Sequence, residues 1–199
     1  MKWTSHTTRA IKVARLRIAA MILFMLAGLG FIIWPYVTDY RYASAQKALA
    51  AEALAEGVSG DTQAGGEPMP DTAMAHILIP DIDLDAYVLE GTEPAQLDRG
   101  PGHYEETPLP GEHGNVCIAG HRTMYGRPFN RLDELEPGDE IVLVTETARH
   151  VYRVEGTSVV DPRDVSVAAP TDDYRLTLTT CHPERSARER LVVTALLDD

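Results

Sequence analysis

The chain has 199 residues, 44% of them hydrophobic and 24% charged. That is ordinary globular usage and enough length for one domain of roughly 100–200 residues with attachments, which excludes wholesale disorder and a collagen-like chain. A formal net charge of −12 has the wrong sign for wrapping phosphate backbones, so no nucleic-acid partner is expected. The two cysteines, Cys117 and Cys181, are too few for a disulfide scaffold or a four-cysteine zinc site.

Residues 1–17 hold Lys2, Arg9, Lys12, Arg15 and Arg17 and no acid, so subtracting their +5 from −12 leaves −17 on the rest. From Ile18 to Val37 follow 20 residues without a charged side chain. As a helix they span about 30 Å, the thickness of a bilayer's hydrocarbon core. Trp34 and Tyr36 stand at the far end, where amphipathic aromatics favour the headgroup level, and the basic cluster precedes the span, which favours a cytoplasmic amino terminus. A signal peptide's apolar stretch is usually about 7–15 residues and ends in a small-residue cleavage site. This stretch is longer and exits through Trp34-Pro35-Tyr36. The expectation is an uncleaved single-pass anchor in the cell membrane with the bulk of the chain outside.

Residues 38–71 read as a stalk and linker. Asp39 to Glu56 is Ala-rich with mixed charge and continues the helix outward. Gly57 to Asp71 (GVSGDTQAGGEPMPD) loses apolar periodicity and gains Gly, Pro, Ser and Asp; as a flexible coil its ends lie about 20 Å apart.

Residues 72–199 read as the folded domain. Short β-like runs rich in Val, Ile, Leu, Thr and Tyr are Ala75 to Ile79, Ala86 to Glu90, Asn115 to Ala119, Glu140 to Thr145, His150 to Val160, Tyr174 to Thr180 and Arg190 to Leu196. Such spacing points to a mainly β fold, a small barrel or a sandwich. Two short helices are expected, Pro94 to Leu97 with Thr92 as the N-cap, and Phe129 to Leu135.

Cys181 ends the run Leu176-Thr177-Leu178-Thr179-Thr180, where a strand gives way to a polar loop with cationic neighbours. A thiol held there is open to solvent, as a nucleophile must be; a buried small hydrophobe is the commoner fate of a lone cysteine. Of the seven histidines, position alone makes His182 and His121 nearly equal candidates, His121 following the strand Val116-Cys117-Ile118-Ala119 and Gly120. His182 adjoins the thiol, but neighbouring strand residues point to opposite faces. Arg190, nine residues after Cys181, returns beside the thiol if the chain makes a hairpin. A fixed guanidinium there can stabilise the oxyanion of a tetrahedral intermediate. Cys117 shares a strand face with Ala119 and His121 and reads as a buried side chain; a silencing disulfide with Cys181 is the alternative an oxidising exterior permits.

Thr177-Leu178-Thr179-Thr180-Cys181 with Arg190-Leu191-Val192-Val193 resembles the TLxTC signature and following Arg strand of sortases, the membrane-anchored cysteine transpeptidases of Gram-positive surfaces, and Gly120-His121-Arg122 resembles their Gly-His motif. Gly100-Pro101-Gly102-His103-Tyr104, His121-Arg122-Thr123-Met124-Tyr125-Gly126 and Cys181-His182-Pro183 are similar to the class E subgroup of actinobacteria. The resemblance implies an eight-stranded sortase-type β-barrel, no required cofactor, Cys181 as nucleophile, His121 as general acid/base and Arg190 as substrate-positioning and oxyanion residue; no metal site is expected, since no His-x-x-x-His or paired-cysteine spacing occurs. It also implies Thr180 as a groove contact and Tyr104, then Tyr125, as the tyrosine that sets choice between LAXTG and LPXTG sorting signals. The implied partners are secreted proteins with a C-terminal sorting signal and an amine acceptor, a lipid II-type cell-wall precursor or a pilin lysine. A thiol peptidase that passes the acyl group to water and a non-catalytic membrane-tethered binding module are the alternatives.

Overall fold

The computed structural model describes residues 4–57, 66–67 and 69–198, and the chain divides into two compact units, residues 1–37 and 38–199. The first unit is helical, part of α1 (Thr4–Gly57). Within α1 lies the one helix among the described residues that is long and apolar enough to cross a membrane, with a mean hydropathy of 2.4.

The second unit is a closed eight-stranded β-barrel, as the family resemblance implies. Its strands are β1 (Ala73–Ile79), β2 (Leu84–Glu90), β3 (Gly102–His103), β4 (Gly114–Ala119), β5 (Glu140–Val144), β6 (Arg149–Val160), β7 (Tyr174–His182) and β8 (Glu189–Leu197). Around the barrel they run β1-β2-β3-β4-β7-β8-β6-β5, with β5 closing on β1. Closure leaves no strand edge to recruit another chain. Strict alternation builds the interior: Ala75, Ile77 and Ile79 of β1, Val116 and Ile118 of β4, Leu176 and Leu178 of β7, and Leu191, Val193 and Ala195 of β8 all point into one buried cluster. The residues between them form the outer wall.

Two placements differ from the sequence expectation. Helix α2 (Pro94–Leu97) forms, but its N-cap is Glu93 rather than Thr92. The helix expected over Phe129–Leu135 shrinks to a 3-10 turn at Leu132–Glu134. The Phe129 N–H donates to the His121 carbonyl instead of starting a helix, Arg131 is non-helical and Leu135 is extended. Phe129, Leu132 and Leu135 recur every third residue, the period at which 3-10 side chains eclipse, and all three are buried without an α-helix.

The segment read as a stalk is not detached from the barrel. Residues 38–57 form the outer part of α1, with Leu49 and Ala53 1% and 4% exposed. Of the expected linker, residues 58–65 and 68 lie outside the described residues. Its described part packs: Met69 is buried, and the Glu67 N–H donates to the Thr145 carbonyl at 3.2 Å.

Candidate active site

Three adjacent strands, β4, β7 and β8, carry the site, with β7 in the middle. β4 and β7 pair in parallel, Cys117 opposite Thr177 and Ala119 opposite Thr179, the last pair of the ladder, so the turn bearing His121 leaves β4 alongside the end of β7 that carries Cys181. β7 and β8 pair antiparallel as a hairpin, with Cys181 directly opposite Arg190. Alternation then decides the face. Leu176, Leu178, Leu191 and Val193 point inward, so Cys181 and Arg190, an odd number of residues from them and so half a period out of phase, stand together on the outer wall. Arg190 Nη1 lies 2.9 Å from Cys181 Sγ. A guanidinium has donors only, so the sulfur accepts.

His121 sits just past the end of β4. The Gly120 N–H donates to the Thr179 carbonyl at 3.1 Å, and the Thr180 hydroxyl donates to the Gly120 carbonyl at 2.7 Å. These two bonds stitch the histidine-bearing turn to the strand that carries Cys181. Glycine is required at 120 because a Cβ would meet the Phe129 ring at 2.6 Å. Tyr125, in a left-handed turn conformation at φ 51°, stacks on the His121 ring with centroids 5.0 Å apart. Asp98, at the C-terminal end of α2, brings Oδ1 to 3.8 Å from His121 Nε2. That distance is too long for a hydrogen bond and is an ion pair only when the imidazole is protonated, and Nε2 is buried without a hydrogen-bond partner. Burial pulls the imidazole below its ordinary pKa, and the Asp98 carboxylate works against part of that pull. A neutral imidazole is therefore favoured at neutral pH.

His182, the rival histidine, is engaged elsewhere. Arg122, only 4% exposed, donates from Nη1 to His182 Nδ1 at 2.8 Å and pairs through Nη2 with Asp133 at 2.9 Å. Because the guanidinium is only a donor, the lone pair of His182 Nδ1 is occupied. Sequence reasoning singled out neither Arg122 nor Asp98 as site residues. Arg122 stands beside His121 in the chain and was a visible candidate; Asp98 lies 23 residues earlier, and only the barrel brings it in.

The expected groove residues separate. Tyr125 is at His121. Tyr104 instead lines a cavity of about 470 Å³ with Thr92, Glu93, Thr107, Ala168 and Pro170. Thr180, expected as a groove contact, is 3% exposed with its hydroxyl donated to Gly120, which leaves little of it to offer a ligand. Among the described residues no group of His, Cys, Asp and Glu is arranged to hold a metal ion.

Cys117 is fully buried on the outer wall rather than in the barrel interior, covered by the 104–107 loop through Tyr104 N–H to Cys117 O at 2.9 Å and Cys117 N–H to Thr107 Oγ1 at 3.2 Å. Both cysteines are free. Cys117 stands abreast of Thr177, four residues short of Cys181 and so about 13 Å away along the strand, beyond the roughly 7 Å Cα separation a disulfide bridges. The silencing disulfide is therefore ruled out in this fold. Burial pushes the Cys117 thiol up to about 12. A thiol reagent applied to the folded protein is expected to modify Cys181 alone, with Cys117 reacting only in denaturant; peptide mapping after labelling checks this, and native labelling of Cys117 would contradict it.

A sortase-domain family model matches residues 77–198. The chain belongs to the sortase family. This sortase is 35% identical over 187 residues to sortase SrtE1 of Streptomyces coelicolor, covering 86% of this chain and 52% of that protein. It is 34% identical over 117 residues to sortase D of Bacillus subtilis, covering 57% of this chain and 58% of that protein. The chain thus spans little more than half the length of these curated relatives. Among solved structures, sortase E from Streptomyces avermitilis aligns with a TM-score of 0.60 at 37% identity, covering 64% of this chain and 89% of that one. A Clostridium perfringens sortase D5 transpeptidase aligns with a TM-score of 0.66 at 28% identity, covering 78% and 99%. Sortase E1 from S. coelicolor, solved with a tripeptide in its active site, aligns with a TM-score of 0.60 at 32% identity, covering 68% and 92%.

Proposed function

We propose that this sortase is a membrane-anchored cysteine transpeptidase that cleaves an LAXTG- or LPXTG-type sorting signal between Thr and Gly and joins the Thr carboxyl to an amine. The observation that carries the reading is the placement of Cys181 and Arg190 as cross-strand neighbours in contact on the outer wall, with His121 on the flanking strand's exit. The tripeptide in the active site of the S. coelicolor relative supports a peptide substrate.

Cys181 Sγ attacks the Thr carbonyl carbon, and Arg190 donates to the oxyanion that forms. The proton of the Cys181 thiol passes to the neutral His121 imidazole during the attack, and as the Thr–Gly C–N bond breaks the imidazolium gives it to the departing glycine amine, leaving a thioester on Cys181. An incoming amine then gives up a proton to His121 as its nitrogen takes the acyl group and the thiol leaves. Neutral His121 is the right form to accept that proton. The acceptor is a lipid II-type cell-wall amine or a pilin lysine, and the protein substrates carry the sorting signal at their C-terminus. Residues 18–37 serve as the anchor, with the basic residues 1–17 on the cytoplasmic side and the barrel outside; the apolar length of α1 supports this.

The test is to incubate the purified protein with LAXTG and LPXTG peptides, with and without candidate amines, and weigh the products. The expected result is an amide-linked adduct whose yield rises with amine. Free acid alone at every amine concentration would replace the transpeptidase reading with that of a peptidase.

A further inference from the structure

The part of α1 within the barrel unit presents Asp39, Tyr42, Gln46, Leu49 and Ala53 at intervals of three, four, three and four, a single stripe along one helix face. The sequence shows no apolar stripe there because the first and third members are polar. Each polar member is spent on backbone of the barrel unit. Asp39 Oδ1 accepts from the Gly126 N–H at 3.0 Å. Gln46 accepts from the Tyr87 N–H at 2.8 Å and donates from Nε2 to the Arg99 carbonyl at 2.9 Å and to the Tyr87 carbonyl at 3.2 Å.

The two anchor points lie one residue from the two groups that enclose His121. Gly126 follows Tyr125, whose ring stacks on the imidazole. Arg99 follows Asp98, whose carboxylate faces Nε2. Both contacts depend on glycine. A Cβ at Gly126, which is in the left-handed region at φ 71°, would run into the Tyr42 ring, and one at Gly100 would meet Gln46 Nε2 at 2.6 Å. Seating the helix this closely serves no need of the barrel core, whose cluster is made by residues of the strands, Ile82 and the 129–135 turn and includes none from α1.

We propose that residues 38–57 of α1 are a positioning strap for His121, holding the 122–127 loop through Asp39 and the end of α2 through Gln46, so that Tyr125 and Asp98 fix the imidazole in its working orientation. Asp39 and Gln46 are positioning residues, neither touching the reacting atoms. The kinetic part of this proposal rests on the assignment of His121 as general acid/base; the structural part does not.

The experiment uses the full chain in detergent, with Asp39→Ala, Gln46→Ala and the exposed-site control Lys47→Ala. Three measurements are made: kcat and KM on a sorting peptide with an amine, thermal unfolding, and the NMR titration of the His121 ring, assigned by loss of its signal in His121→Ala. Asp39→Ala and Gln46→Ala are each expected to lower kcat about 10- to 100-fold with little change in KM, the scale of a misplacement of about 1 Å at a catalytic group. Both are expected to shift the His121 ring signals, and Lys47→Ala to do neither. Asp39→Asn keeps an acceptor oxygen for Gly126 and restores most of the rate. Gln46→Glu still accepts from Tyr87 but cannot donate to Arg99, and behaves like the alanine variant. His121 signals and kcat unmoved in both alanine variants, or a fall in unfolding temperature with His121 signals unmoved, would overturn the strap. If the unaltered protein turns over no sorting peptide, the proposed function fails, and the His121 signals alone decide the strap.

Discussion

Cys181→Ala is expected to abolish both the acyl-enzyme and the amide product. The loss in kcat is expected to be roughly 10⁴-fold or more, the scale seen when a covalent nucleophile is removed from a group of residues acting together. The reason is geometric as well as chemical. Sulfur at 181 is the only side-chain nucleophile on the outer wall opposite Arg190: its flanking residues Thr180 and His182 alternate to the other face, the Thr180 hydroxyl is donated to Gly120 and the His182 Nδ1 lone pair is taken by Arg122. No neighbour can substitute. The alanine variant should fold normally, because Cys181 is only partly buried and contributes nothing to the interior cluster. Intact-mass measurement after incubation with a sorting peptide reports the thioester directly, with unfolding temperature as the control. A peptide adduct on Cys181→Ala, or amide product at the unaltered rate, would remove Cys181 from the mechanism.

Arg190→Lys is expected to lower kcat by about 10²- to 10³-fold, the cost of losing one donor to a developing oxyanion. Charge is conserved in this substitution and shape is not. The guanidinium is a planar fork that offers one N–H to the sulfur at 2.9 Å while keeping others for the carbonyl oxygen. One ammonium on a shorter, more flexible stem cannot serve both positions in fixed geometry. Since the second contact matures only as the oxyanion forms, KM should change little while kcat falls. Arg190→Ala should be at least as impaired. A lysine variant with unaltered kcat would show that positive charge alone suffices, and the fork would lose its assigned role. Arg190 is held by the hairpin register rather than by a carboxylate: among the described residues its side chain's polar contact is the sulfur, so the substitution breaks no buried ion pair and the loss is not a folding defect.

Period-two alternation made most of the barrel legible beforehand. The runs Ala75–Ile79, Ala86–Glu90 and Asn115–Ala119 lie inside β1, β2 and β4, because a wall with one face in a core writes its register into the chain. β3 escaped notice because it has two residues, Gly102 and His103, too few for any periodicity. Phe129–Leu135 misled because a spacing of three fits both a 3-10 turn and a loosely read α-helix. Residues 39–56 are helical as their composition suggests, but the packing face of that helix is not legible, because it uses Asp39 and Gln46, polar residues that hydropathy assigns to solvent.

Cys181, His121 and Arg190 are legible as candidates from local context and from resemblance to sortases, and the sequence alone determines the interior-facing alternation of most strands and the presence of a span long enough for a membrane. Tertiary structure decided everything that depends on strand neighbours distant in the chain. It set β7 between β4 and β8, placed Tyr125 rather than Tyr104 on His121, brought Asp98 to the imidazole and tied His182 to Arg122. Alternation tells which face a side chain takes, a local property of one strand. Which other strand lies alongside is settled by closure of the whole barrel, and that information is spread over every pairing at once.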